Sequence, residues 1–445
     1  MLRTLDFAKM PIVDIINDIL VDAKKRGASD IHFDPYDDHM LIRIRIDGVL
    51  MDYAKVPDEY RDYLVTRIKT ISKMNITESR LPQDGAIKEN LDGYDLDLRV
   101  SSLPVSTGEK IVVRILDYTR SMAGLGDLGF SEENYKKVLE MISVPNGIIL
   151  VTGATGSGKS TTVYSILQQL NTSATNIITV EDPIEMDITG INQVQANPKI
   201  GLTFANALRS ILRQDPNIIM IGEIRDTETA RIAVRASITG HLVLSTLHTN
   251  TSLNTIERLI DMDVQRYLLA SALEGVISQK LARKLCPHCK IKRKTSEYEK
   301  MVFKTVLNKD IDEIWDTEGC EECHDGYKGR IAIHEVLRID QDIRDALSNG
   351  KPKEDIRKLV YDNGNVTTML QDGLEKVLQG LTTFEEILKL IELEDDDMIS
   401  NNSELKEAII ENKEALLEKE KPEGEYLGVR EEDYNNTNEI ESLDI

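Results

Sequence analysis

No run of apolar residues in this chain reaches the roughly 18 that a helix needs to cross a bilayer. The first residues, MLRTLDFAKMPIVDIIND, have no basic start followed by an apolar segment, so a secretory leader is not expected. Aromatic residues are scarce at 5%, with one Trp, and they do not interleave with basic ones as in a surface that stacks single-stranded nucleic acid. Positive charge is also short: 54 Lys and Arg stand against 77 Asp and Glu, a net −23. Residues 391–445 hold 19 acids and 5 bases, a net −14 that leaves −9 for the rest. A surface of this sign repels phosphate backbones, so direct nucleic-acid binding is not expected. Cysteine is scarcer still: the four are Cys286, Cys289, Cys320 and Cys323, spaced as two Cys-x-x-Cys pairs. In the reducing cytoplasm expected for a chain without a leader, such pairs bind metal more often than they form disulfides.

A chain of 445 residues is too long for one core and predicts two to four domains. Ile12, Ile15, Ile16, Ile19 and Leu20 recur at helical spacing behind Pro11, which suits a first turn. In LIRIRIDGVL, Ile42, Ile44 and Ile46 alternate with Arg43 and Arg45, and Asp47-Gly48 signals a hairpin. With further alternation in YDLDLRVSSLP and KIVVRIL, residues 1–118 read as a small α+β lobe. The Gly-rich SMAGLGDLGF marks a linker, placed at 119–130. Beyond it GIILVTG, NIITVED, NIIMIGE and HLVLSTLH alternate with helical stretches over 131–283, the pattern of a largely parallel sheet covered on both faces. The cysteine pairs define a subdomain at 284–335, and helical patterns resume at 336–394. Residues 395–445 are acidic, poor in aromatics and expected to be disordered. Within that tail ELKEAIIENKEALLEK carries a narrow stripe of Leu405, Ile409 and Leu416, read as a solvated helix.

Gly153-Ala154-Thr155-Gly156-Ser157-Gly158-Lys159-Ser160 fits G-x-x-x-x-G-K-[ST], directly after the apolar strand GIILV and before the helical TTVYSILQQL that Thr161 opens. The glycines let successive backbone N–H groups face phosphates, and the helix N-terminus adds a favourable dipole. Lys159 is expected to reach the β- and γ-phosphates of ATP, and the Ser160 hydroxyl to ligate magnesium. Hydrolysis also needs carboxylates to handle the metal and the water. NIIMIGE ends at Glu223, with Gly222 before a Glu where a Walker B strand usually has Asp, and NIITVEDPIE ends its strand at Glu181 and Asp182. In a parallel sheet both ends face the same edge as the phosphate loop. Glu185, beyond the Pro, reads as a surface turn. His241 and His248 flank the next strand; a lone His is more often structural, and His248, beside Thr249 and Asn250, is the candidate γ-phosphate sensor.

Together GASDIHF, RIRIDG, LPQDGAI, DLDLRVSSLP, GATGSGKST, TVEDPIE, LRSILRQDPNIIMIGEIRD and STLHTN resemble the type II secretion and type IV pilus assembly ATPases, over roughly residues 1–390. The resemblance implies a homo-hexameric motor whose subunit joins a PAS-like N-terminal lobe to a RecA-like P-loop domain. It also implies ATP turnover that drives an inner-membrane platform protein, through which pilin-like subunits are inserted or extracted. Such a protein is cytoplasmic and sits at the inner face of the membrane through its partners. By the same resemblance Glu181 is the water-activating carboxylate, Glu223 the Walker B glutamate acting on magnesium, and His248 the His-box residue. Arg209 and Arg213, four apart on a helix, match with Arg225 arginines that line the nucleotide site. Arg99 and Arg114 match arginines brought from the N-terminal lobe toward the γ-phosphate, where a fixed charge stabilises the transferred group. Ala86 departs from the pattern, since many relatives carry Arg there, and Arg80 is the one nearby substitute. Relatives of the secretion branch often carry a further N-terminal domain; the resemblance here begins within the first dozen residues, so that domain is expected to be absent.

Two Cys-x-x-Cys pairs supply four thiolates, enough for closed tetrahedral zinc coordination. The stretch between the pairs exceeds the usual spacing of about 15–20 residues, so a large loop is expected. A redox pair is the alternative, although redox motifs rarely come doubled, and His288 and His324 stand beside the cysteines as spare ligands. Secretion and pilus-assembly motors resemble this arrangement, whereas pilus retraction motors generally lack it, which points to a motor that builds. Two further readings stay open: a nucleotide-gated assembly scaffold with little turnover, which Ala86 keeps alive, and a competence-type motor for DNA uptake.

Overall fold

The computed structural model describes residues 2–7, 9–91, 93–116, 124–362, 365–391 and 403–419. In the N-terminal lobe β1 (Ala28–Pro35), β2 (His39–Ile46), β3 (Val49–Pro57), β4 (Gln83–Leu91), β5 (Tyr94–Val105) and β6 (Gly108–Ile115) form an antiparallel sheet in the order β3-β2-β1-β6-β5-β4. Alternation in β2 decides which face is covered. Ile42 and Ile44 are buried in the core beneath the helices Ile12–Lys25 and Asp58–Ile71, while Arg43 and Arg45 point to the other face. The Asp47-Gly48 turn between β2 and β3 takes positive φ at both residues, 49° and 93°, as a two-residue hairpin requires.

The second sheet gathers β7 (Gly147–Thr152), β8 (Ile177–Glu181), β9 (Asn192–Gln195), β10 (Ile218–Ile221), β11 (Leu242–Leu247) and β12 (Leu273–Leu285). A further strand, numbered β15 (Tyr327–Arg338) because two short strands precede it, closes the order β15-β12-β7-β11-β10-β8-β9. Every pairing is parallel except β12 with β15. The unbroken apolar run of β7 is explained by cover on both sides: Ile148 and Leu150 pack into one core and Ile149 and Val151 into the other. Because the strands run the same way, Thr152, Glu181, Ile221 and Leu247 end at one edge, where the loops of the site collect.

The Gly-rich segment is tighter than a linker where it is described. Leu125–Leu128 forms a 3-10 turn, and Leu125 is buried among Val138, Met141 and Ile149; residues 119–123 lie outside the described residues. Between the cysteine pairs the chain makes β13 (Lys290–Lys294), the helix Glu297–Leu307 and β14 (Glu313–Thr317), with β13 antiparallel to β14. That small unit is what lengthens the interval. Its helix buries Val302, Phe303 and Val306 against Leu370, Leu374 and Phe384 of the C-terminal helices. The expectation of a solvated helix in the acidic tail is corrected here. Ser403–Lys419 is helical, and Leu405 and Ile409, one turn apart, are 1% and 0% exposed in that same core. Residues 395–402 and 420–445 of the tail lie outside the described residues.

Candidate nucleotide-binding cleft

The phosphate loop joins β7 to the helix Lys159–Leu170. Gly153 has φ 145°, and a Cβ there would stand 2.4 Å from the Gln279 carbonyl oxygen and 2.5 Å from Ser157 Oγ, so glycine is required. Gln279, on the neighbouring β12 and 1% exposed, ties the loop together. Its Nε2 donates to the Ser157 carbonyl at 2.8 Å, and its Oε1 accepts from Thr162 Oγ1 at 2.8 Å. Gln279→Leu would leave both partners buried and unpaired. The expected outcome is a loss of about 1–3 kcal/mol in stability with weakened Mg-ATP binding, checked by a thermal melt and a nucleotide titration. The residue was not singled out from sequence; a lone Gln inside the apolar GVISQKL is the signal that would have found it.

Lys159 is buried, and its ammonium donates to the Gly153 carbonyl at 2.7 Å and the Ala154 carbonyl at 3.0 Å. Burial pulls its pKa down, partly opposed by the Glu223 carboxylate. Ala154, Thr155, Gly156 and Ser160 are exposed and Thr161 is half-buried, whereas Ser157 is buried, and its Oγ has no partner among the described residues. The open backbone turn, the unpaired hydroxyl and the lysine on one side fit a bound phosphate.

Glu181 closes β8 at 3% exposure. Its carboxylate accepts from the Tyr164 hydroxyl, from Thr179 Oγ1 at 2.6 Å and from Gln193 Nε2 at 3.1 Å. Burial, reinforced by the Glu181 charge, pushes the Tyr164 phenol well above its ordinary value and keeps it a donor. Glu223 follows β10, paired with Arg225, and His248 Nε2 lies 3.5 Å from Glu223 Oε2. The Gly at position 222 has a packing reason, since a Cβ there would press on Glu181 Cα and the Val180 carbonyl, both at 3.3 Å. Glycine thus lets the two carboxylate-bearing strand ends approach.

These groups face a cleft of about 840 Å³ between the lobes, lined also by Asp30, Arg45, Arg114, Asp182 and Arg330. Arg114 Nε pairs with Asp30 at 3.0 Å. Arg99 does not line the cleft. It clamps the lobes together, donating to the Ile184 carbonyl at 2.9 Å and pairing with Glu185 at 3.1 Å, so Glu185 is a lobe contact rather than an idle turn. The turn residue Asp47 adds a second clamp by accepting the Gly329 N–H at 2.7 Å. Arg209 and Arg213 stay off the cleft of their own chain. The helix ends at Ile211, Arg209 pairs with Glu228, and Arg213 donates to the Arg209 carbonyl at 2.7 Å. Arg80 is 87% exposed, pairs with Glu78 at 3.1 Å and is not among the residues lining the cleft; Ala86 lies opposite Arg99 across β4 and β5. His241 Nδ1 sits 2.9 Å from the Ala236 carbonyl, a structural contact.

The four cysteine sulfurs lie within 4.8 Å of one another, with Cys286–Cys320 at 3.9 Å, Cys289–Cys323 at 3.6 Å and Cys320–Cys323 at 3.5 Å. A tetrahedron of sulfurs about 2.3 Å from zinc has edges of about 3.8 Å, so the donor set fits. A single convergent quartet also disfavours two independent redox pairs. His288 is turned to Glu322 at 3.3 Å.

A family model described as "Type II/IV secretion system protein" matches residues 7–389. The chain is 46% identical over 381 residues to the type II secretion system protein E of Aeromonas hydrophila, covering 85% of this chain and 75% of that one. The type II secretion system ATPase E of Vibrio cholerae is 44% identical over the same shares. Among solved structures the pilus retraction motor PilT with bound ADP aligns at 28% identity and a TM-score of 0.57, over 84% of this chain and 96% of that one. The Legionella pneumophila ATPase DotB shares the fold at a TM-score of 0.64 and 23% identity, over 87% and 97% of the two chains.

Proposed function

This chain belongs to the type II/IV secretion system proteins, and on that premise we propose that it is a magnesium-dependent ATPase motor that drives fibre assembly. The observation that carries the reading is the convergence of Lys159, Glu181, Glu223 and His248 on one cleft between the lobes. ATP enters with its β- and γ-phosphates over the loop N–H groups, and Lys159 swings from the loop carbonyls to the phosphate oxygens. Glu181 takes a proton from the attacking water; the new P–O bond forms at the γ-phosphorus as the bond to the β–γ bridging oxygen breaks, and ADP leaves. His248, Arg225 and Arg114 line the same cleft, which supports a role for them in stabilising the charge that develops on the transferred group. Ser160, with Glu223 behind it, would hold magnesium, which would supply neutralisation of the phosphate charge. The four cysteines take zinc as a structural ion.

The working assembly is a homo-hexamer at the cytoplasmic face of the inner membrane, acting on pilin-like subunits through a polytopic platform protein. Among the described residues no helix is long and apolar enough to cross a membrane. Identity of 44–46% to type II secretion proteins, against 28% to a retraction motor, favours pseudopilus or pilus assembly over disassembly. Glu181→Gln is the test: turnover is expected to fall by about 10²–10⁴-fold with ATP binding retained, and wild-type phosphate release from that variant would remove the reading.

A further inference from the structure

We infer that Glu335 is a positioning residue for His248, pinning the helix that holds the loop in which His248 stands. The inference rests on the reading of His248 as the residue that meets the γ-phosphate. The His248 side chain is 52% exposed, so packing does not fix it and the backbone that carries it must. That backbone is tied down on both sides. Before it, at the end of β11, Thr246 Oγ1 donates to the Gly222 carbonyl at 2.6 Å, next to Glu223. After it, Thr249 Oγ1 lies 2.7 Å from Thr255 Oγ1, within the helix Ser252–Asp261. Ser252, the first residue of that helix, donates its N–H to Glu335 Oε1 at 2.8 Å.

The carboxylate is more than the helix needs for its own start. Thr251 already caps it, the hydroxyl accepting the Asn254 N–H at 3.2 Å. Glu335 and Ser252 are both buried, and a carboxylate is costly to bury unless hydrogen bonds and a helix dipole offset the cost. What results is a short, directional tie between the helix behind His248 and β15. That strand is the one on which the chain leaves the four-cysteine module. The Tyr361 hydroxyl, at the end of the helix Lys353–Tyr361, donates to the same Glu335 Oε1 at 3.2 Å. One side chain therefore joins the His248 helix to the module strand and to the C-terminal helices, and movement of those elements reaches His248 through it. A buried group that only stabilises the fold is the competing account. The two differ over discrimination between ATP and ADP, which are distinguished by the γ-phosphate alone.

The experiment measures binding of Mg-ADP and of a non-hydrolysable Mg-ATP analogue to the full chain as wild type, Glu335→Gln, Ser252→Pro, His248→Ala and the double variant E335Q/H248A, with a thermal melt of each. E335Q removes the charge and keeps the shape. S252P removes the N–H itself, and proline is favoured at a first helical position. Thr251, at φ −130° and ψ 162°, already has the extended backbone that a residue before proline takes. Both variants are expected to melt cooperatively and to bind ADP within about twofold of wild type, while losing about 10-fold of the preference for the analogue over ADP, the scale of one charge-assisted hydrogen bond. H248A is expected to lose that preference too, and E335Q/H248A to lose no more than H248A, because both changes act through one group. A cooperatively melting E335Q or S252P that keeps the wild-type preference overturns the inference. Equal losses for both nucleotides, a double variant reduced by the product of the two factors, or failure of both E335Q and S252P to melt cooperatively would overturn it as well. Wild-type preference in H248A would instead remove the reading of His248 itself, an outcome separable from the failure of Glu335 alone.

Discussion

Lys159→Ala is expected to lower ATP turnover by at least about 10²–10³-fold, the scale of losing one preorganised charge at a transferring phosphoryl group, while the chain stays folded. The fold survives because the ammonium contributes little to it. Its two acceptors are carbonyls of the phosphate loop, which follows β7 and belongs to neither of the two cores that β7 joins. Burial depresses its pKa, which means that the charged form is held at a cost until phosphate arrives. Removing it relieves that cost, so the melting temperature of the ligand-free variant is expected to match or exceed that of wild type. Phosphate release and a thermal melt check both halves. An unfolded variant would place Lys159 in the structural framework, and a variant that still turns over ATP would move the chemistry elsewhere.

Loss of the metal from the four-cysteine module is expected to have the larger structural effect. Metal analysis should find one zinc per chain, and Cys286→Ser or a strong chelator should lower the melting temperature by about 10 °C or more, since structural zinc contributes on the order of 10 kcal/mol to a small unit. The module, with its two-stranded sheet and single helix, has little apolar core of its own and leans on the C-terminal helices through Phe303. Crowding of the sulfurs makes the case for a cation. Four thiolates within 4.8 Å of one another would repel, and a positive ion among them offsets that repulsion. The damage should reach the nucleotide. The module is inserted between β12 and β15, and β12 carries Gln279, which braces the phosphate loop, so turnover should fall with the metal. A metal-free chain with unchanged melting and activity would leave the cysteines without this role.

What could be read from sequence and what could not divide along a physical line. The phosphate loop, the strand ends at Glu181 and Glu223, the Asp47-Gly48 hairpin and the cysteine quartet are set by spacing within a few residues, and the chain states such spacing directly. Arg209 and Arg213 match a family pattern, yet the helix stops at Ile211 and their partners lie on their own surface. Glu185 looked idle because its partner, Arg99, is 86 positions away on the other lobe. Leu405 and Ile409 sit in a strongly acidic stretch whose composition argues for solvent, and only the apolar surface left by Phe303 and Phe384 explains their burial. Gln279 and Tyr164 share the same obscurity. Each is one polar group in an apolar element, and its use depends on which strand or loop the fold brings opposite.

The most direct test of the motor reading is phosphate release by the full chain with Mg-ATP, measured on native membranes carrying its platform partner and compared with K159A and E181Q. The account predicts sustained turnover in wild type and its loss in both variants. ATP bound without phosphate release, even with the partner present, would contradict it and favour a nucleotide-gated scaffold.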